Sequence, residues 1–105
     1  MPVTDVRFRK LAVFGVGLIG GSFAMALRQA GCVEWIVGVG RSRANLDRAL
    51  ELGVIDAVAP DVSDALDGAD LVLVAVPVQQ TLSVFDAIAP YLGPDAVLTT
   101  STIGV

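Results

Sequence analysis

Three glycines spaced G-x-G-x-x-G, at Gly15, Gly17 and Gly20, interrupt an otherwise apolar run near the start of the chain. Lys10-Leu-Ala-Val-Phe14 reads as a buried strand leading into them, and Ser22 to Ala30 reads as a helix leaving them. No other feature restricts the fold as much. A strand, a tight turn and a helix that must approach the strand closely admit few arrangements. Gly15 allows the turn, Gly17 leaves no Cβ between backbone and a bound anion, and Gly20 lets the helix lie against the strand. The helix start then offers free N–H groups and the positive end of its dipole to that anion. The pattern predicts a pyrophosphate cradle built from Gly15, Val16, Gly17, Leu18, Ile19 and Gly20; the alternative is a glycine-rich turn that binds nothing.

The rest of the chain keeps a strand–helix rhythm. Trp35 to Val39 reads as a second strand, and Arg43 to Leu52 as a helix with Ser42 as N-cap and Gly53 just past its end. Ala57 to Ala59 is a brief third strand stopped by Pro60. Asp61 or Ser63 caps a short helix to Leu66. Leu71-Val-Leu-Val-Ala-Val76 is continuously apolar, hence a central strand, ended by Pro77. Gln79 and Gln80 read as its terminus. Thr81 to Leu92 reads as a helix burying Leu82, Phe85, Ile88 and Ala89, and Ala96 to Thr99 as a fifth strand. Strand–helix–strand repetition with short loops gives parallel strands joined by right-handed crossovers. The expected fold is α/β, a Rossmann-type doubly wound parallel sheet of order 3-2-1-4-5. Its ligand crevice lies between strands 1 and 4.

Composition supports one domain. A length of 105 residues holds a single core, and 54% hydrophobic with 17% charged residues suits a sheet buried on both faces. The net charge of −4 argues against nucleic acid as a partner, and no basic run suggests an anionic membrane surface. Arg7, Arg9 and Lys10 before the uncharged run Leu11–Leu27 imitate a secretory signal. The glycine spacing instead fits a phosphate turn and a central strand, so the expected location is the cytoplasm, with no membrane segment. A single cysteine, Cys32, excludes an internal disulfide and reads as a small packing residue. Asp61, Asp64, Asp67 and Asp70 read as caps and a solvated edge rather than a metal site, since no His is present.

The end of strand 2 bears on which dinucleotide. An NAD site of this kind places an Asp or Glu about 20 residues beyond the glycines, on the ribose 2′-OH. Here that position is Gly40, followed by Arg41, Ser42 and Arg43. A carboxylate would repel a 2′-phosphate, whereas guanidinium groups grip it bidentately. The expected cofactor is NADP, with NAD as the alternative, and Arg41 is the leading contact. Alternatively the arginines are solvated residues of a helix start. Ala75-Val76-Pro77-Val78-Gln79-Gln80, where strand 4 ends beside the switch point, is expected to form the opposite wall of the crevice, with Val76 and Pro77 as its contacts.

Gly15-Val-Gly-Leu-Ile-Gly-Gly-Ser22, then Ala49-Leu-Glu-Leu-Gly-Val-Ile-Asp56, then Gly68-Ala-Asp-Leu-Val-Leu-Val-Ala-Val-Pro-Val78 resemble the amino-terminal half of the prephenate dehydrogenase family, which includes arogenate and cyclohexadienyl dehydrogenases. The resemblance spans roughly Phe8 to Leu98. It implies oxidative decarboxylation of prephenate or arogenate in tyrosine biosynthesis, with hydride passing to a nicotinamide. It also implies a catalytic histidine, a substrate-binding arginine and a helical dimerisation domain, none of which this chain carries, so no catalytic residue is assigned within it. The family's T-D-x-G-S-x-K continuation departs here to Thr99-Thr-Ser-Thr-Ile-Gly-Val105, so no role passes to Ser101 or Thr102. The sheet is expected to stop before a sixth strand. Pieces of the motif also occur in β-hydroxyacid dehydrogenases and imine-forming reductases, which stay open as alternatives, as does a non-catalytic redox-sensing nucleotide module.

Overall fold

Strand and helix alternate along the chain in a computed structural model that describes residues 8–16, 18–40, 42–76, 78–93 and 96–100. The order is β1 (Phe8–Phe14), α1 (Leu18–Gln29), β2 (Val33–Val39), α2 (Arg43–Glu51), β3 (Ala57–Val58), α3 (Val62–Leu66), β4 (Leu71–Val74), α4 (Val78–Ile88) and β5 (Val97–Thr100). A single 3₁₀ turn, Ala89–Tyr91, follows α4. All pairings are parallel, and the sheet runs β3-β2-β1-β4-β5. The expected α/β Rossmann-type topology is therefore the observed one, with the order reversing between β1 and β4.

The sheet divides the core in two because successive strand residues face opposite ways. Leu11, Val13, Ile36, Leu71 and Leu73 pack beneath α1 and α2 with Ala24, Leu46 and Ala49. Ala12, Phe14, Val37, Val72 and Val74 pack beneath α3 and α4 with Ala65, Leu66 and Ile88. β1 and β4 are apolar on both faces, as a central parallel strand must be. A side chain such as Leu73, fully removed from water, contributes roughly 1.5–3 kcal/mol relative to exposure.

Local signals set several boundaries. Ser42 caps α2, its Oγ accepting from the Asn45 amide at 3.2 Å, and Gly53 follows the helix with φ +75°. Asp61 caps α3 by accepting from the Asp64 amide at 2.8 Å. Other boundaries differ from the sequence reading. Helix α1 begins at Leu18 rather than Ser22, with Gly20 and Gly21 inside it. Packing space overrides helix propensity there. β4 ends at Val74, three residues before Pro77, and Gln79 and Gln80 belong to α4 rather than to a strand terminus.

The expectations for Leu82 and Ala89 are corrected. Leu82 is 75% exposed and Ala89 is exposed, while Ile88 is buried and Phe85 and Val84 half-buried. Leu82 lies about 120° around the helix from Ile88, off the core stripe. Pro90 explains Ala89: it has no N–H to continue an α-helix, so α4 stops at Ile88 and the chain tightens into the 3₁₀ turn.

Candidate functional site

An open cleft of about 780 Å³ lies at the carboxyl ends of β1, β2 and β4, where the sheet order reverses. Gly15 is at its centre. Its φ is +91°, its N–H donates to the Val39 carbonyl at 2.8 Å, and a Cβ would collide with the Ala75 carbonyl oxygen. A Cβ on Gly20 would come within 2.5 Å of the Gly15 carbonyl oxygen and 3.3 Å of Val13 Cγ1. Only a glycine allows α1 to begin so close to the strand end, and no α1 residue is among the described lining residues of the cleft. Gly38, which the sequence reading passed over, has a similar task in β2. A Cβ there would meet Val16 Cγ2 at 2.8 Å and Ile55 Cδ1 at 2.9 Å, so a bare backbone keeps buried Val16 in place under the turn.

The structure brings Gly15, Val16, Ser42 and Val76 together on the lining of this cleft. Gly17, Arg41 and Pro77 lie outside the described residues, and Leu18 and Ile19 are placed as backbone of the first turn of α1. Arg43 is not on the lining. It is exposed on α2 with its Nε 3.0 Å from Asp47 Oδ1, one helical turn on.

Sequence reasoning missed Asn45 and Ser83 on the lining, while Gln79 and Gln80, which it put in the opposite wall as a strand terminus, line the cleft from a helix instead. Asn45 sits one turn beyond the cap of α2. Gln79 and Ser83 are four residues apart, as are Gln80 and Val84, so two adjacent rows of α4 face the cleft. That spacing is the available signal once the helix start at Val78 is known.

The chemistry of the lining is distinctive. Its floor and walls are apolar, and among the described residues that line it the polar groups are hydroxyls and carboxamides, with no carboxylate. This in a chain of net charge −4 leaves a cleft free of like-charge repulsion toward an anion. A glycine cradle that any Cβ would fill, a helix start at its edge and an apolar slot beside it fit the pyrophosphate and rings of a dinucleotide.

The acidic residues are employed at the other end of the strands. Asp70, just before β4, accepts from the amides of Arg9 and Lys10 of β1, both at 2.9 Å. Asp56, just before β3, accepts from the Ile36 amide of β2 and from Arg28 Nη2 of α1, both at 2.8 Å. Lys10 Nζ donates to the carbonyls of Asp64 at 3.0 Å and Asp67 at 2.7 Å, beyond the middle of α3. Among the described residues no group of three His, Cys, Asp or Glu is placed to hold a metal ion. Among them, too, no helix is long and apolar enough to cross a membrane.

A family model described as the nucleotide-binding domain of prephenate dehydrogenase matches residues 23–103. The chain belongs to this family. The match begins after Gly20, so the family model itself does not draw on the glycine turn. Within the family, the chain is 40% identical over 92 residues to a cyclohexadienyl dehydrogenase of Zymomonas mobilis, covering 87% of this chain and 31% of that protein. A crystal structure of prephenate dehydrogenase from A. aeolicus, in complex with hydroxyphenyl propionate and NAD+, superposes with a TM-score of 0.85. The identity there is 27%, over 93% of this chain and 35% of that one. Arogenate dehydrogenase of Synechocystis gives a TM-score of 0.77 at 33% identity, over 87% of this chain and 32% of that one. The chain thus spans about a third of the length of these family members.

Proposed function

We propose that this chain is the cofactor-binding half of a prephenate or arogenate dehydrogenase that uses NADP in preference to NAD. The observation that carries the reading is the cleft at the switch point, without a carboxylate among its described lining residues and built around Gly15 and Gly20 in a member of this family. Gly15, Val16, Gly17, Leu18, Ile19 and Gly20 hold the pyrophosphate, while Val76 and Pro77 wall the nicotinamide side.

The preference for NADP rests on the end of β2. No acid follows Gly40 to accept from a ribose 2′-OH, and Ser42 presents a hydroxyl to the cleft. Because Ser42 Oγ already accepts from the Asn45 amide, its proton remains for donation to a phosphate oxygen. Arg41 supplies the positive charge. Arg43 contributes only if it gives up Asp47, so it ranks behind Arg41.

In the whole enzyme, loss of carbon dioxide from the substrate ring drives its aromatisation as hydride passes to the nicotinamide. The chain has no histidine, so the group that polarises the substrate hydroxyl comes from the part of the relatives' length not matched here, as does dimerisation. Alone, this domain binds the nucleotide in the cytoplasm's reducing conditions and does not turn over. Calorimetric titration with NADP and then NAD tests the reading. Tighter NADP binding is expected. Tighter NAD binding would overturn the roles of Arg41, Ser42 and Arg43, and binding of neither would overturn the cofactor site.

A further inference from the structure

We propose that Gln80 reads the base of the dinucleotide through its side-chain amide, making the cleft selective for adenine; the proposal rests on the cofactor reading above. With phosphates at the glycine turn and the ribose at Ser42, the base attached to that ribose lies beyond β2, on the face covered by α3 and α4. A slot is present there. Val39 at the end of β2, Val62 at the start of α3 and Val84 of α4 all line the cleft, and all three also flank the same half of the core. Three branched apolar side chains around one opening suit the two faces of a flat aromatic ring.

Gln80 stands on the rim of this slot, one helical turn before Val84 on the same row of α4. It is half-buried, whereas Gln79 beside it is exposed. Among the described residues its carboxamide has no hydrogen-bonding partner. A primary amide with an unused donor and an unused acceptor in one plane, at the edge of an apolar slot, is available to a ligand that presents the matching pair. Adenine presents that pair. Its N6/N7 edge offers a donor, the exocyclic amine, next to an acceptor, the N7 ring nitrogen, and a carboxamide meets both at once. On that same edge hypoxanthine has a carbonyl oxygen beside N7, two acceptors, so the oxygen of the amide finds no donor there.

The test is titration of the chain with NADP and with its deaminated analogue, nicotinamide hypoxanthine dinucleotide phosphate, for the parent, Gln80→Leu and Gln79→Leu. The parent is expected to favour adenine by about tenfold, the scale of one lost hydrogen bond. Gln80→Leu, similar in volume, should bring the two affinities within about twofold of each other, and Gln79→Leu should keep the parent's ratio. Equal binding of the two dinucleotides by the parent overturns the proposal while leaving the cofactor site intact, and this arm needs no variant to fold. The proposal also falls if Gln80→Leu binds with the ratio unchanged, or if Gln79→Leu abolishes it. Failure of the parent to bind either dinucleotide overturns the cofactor reading and this inference together.

Discussion

The two ends of the parallel sheet are built on opposite principles. At the amino ends of the strands, aspartates stand just before β3 and β4 and accept from amides of the neighbouring strands: Asp56 from Ile36, Asp70 from Arg9 and Lys10. Charge there is consumed inside the fold. At the carboxyl ends, among the described residues, no carboxylate lines the cleft, glycine replaces side chains, and the polar groups are neutral. Asp56 and Asp70 thus close the structure at the rim away from where an anion would bind. The difference teaches that one rim should carry stability and the other recognition.

The strongest way to break that division is Asp70→Ala. It leaves two strand amides without their charged acceptor, and the unfolding free energy should fall by about 3 kcal/mol in urea titration. NADP affinity of the folded fraction should stay the same. A large loss of affinity with little loss of stability would reverse the assignment of the rims. Next is Arg41→Asp, which should weaken NADP binding by about 2 kcal/mol and NAD binding far less, as read by calorimetry. Equal losses for both nucleotides would remove Arg41 from the 2′-phosphate.

Ser42→Ala probes a residue with a task in each category. Loss of the cap should cost about 1 kcal/mol in thermal unfolding, and loss of the hydroxyl should lower NADP affinity more than NAD affinity. The smallest effect is expected at Leu82→Ser. That side chain serves neither rim and is mostly exposed, so stability and binding should stay within about 0.5 kcal/mol of the parent. A larger destabilisation would show that Leu82 packs as its sequence spacing suggests.

The architecture is legible in the sequence because its signals are local. An uninterrupted apolar strand, a glycine turn and caps such as Ser42, Asp61 and Gly53 each act within a few residues. What escapes such reading is set by contacts far apart in sequence. Asp70 reaches Lys10 across 60 positions, so its role cannot be told from a solvated edge. Gly20 tolerates a helix because of what lies against it, not because of its own propensity. Pro90, by contrast, is a local signal, and helical spacing alone, which ignores it, puts Ala89 in the core. At the site, Gly15 and Ser42 can be read directly, since turns and caps have fixed chemistry. Asn45 and Ser83 cannot, because lining a cleft is a property of several elements at once.

Lys10 gives the recognition rim a mechanical property. Its ammonium holds the far end of the five-residue α3 to the central strand, through the carbonyls of Asp64 and Asp67. Val62, the first residue of that helix, is a wall of the cleft. A short helix clamped at one end and capped by Asp61 at the other has little freedom to swing, so the slot stands open at its working width before any ligand arrives. Association then needs no ordering of this wall, and the entropy such ordering would consume is instead retained as affinity.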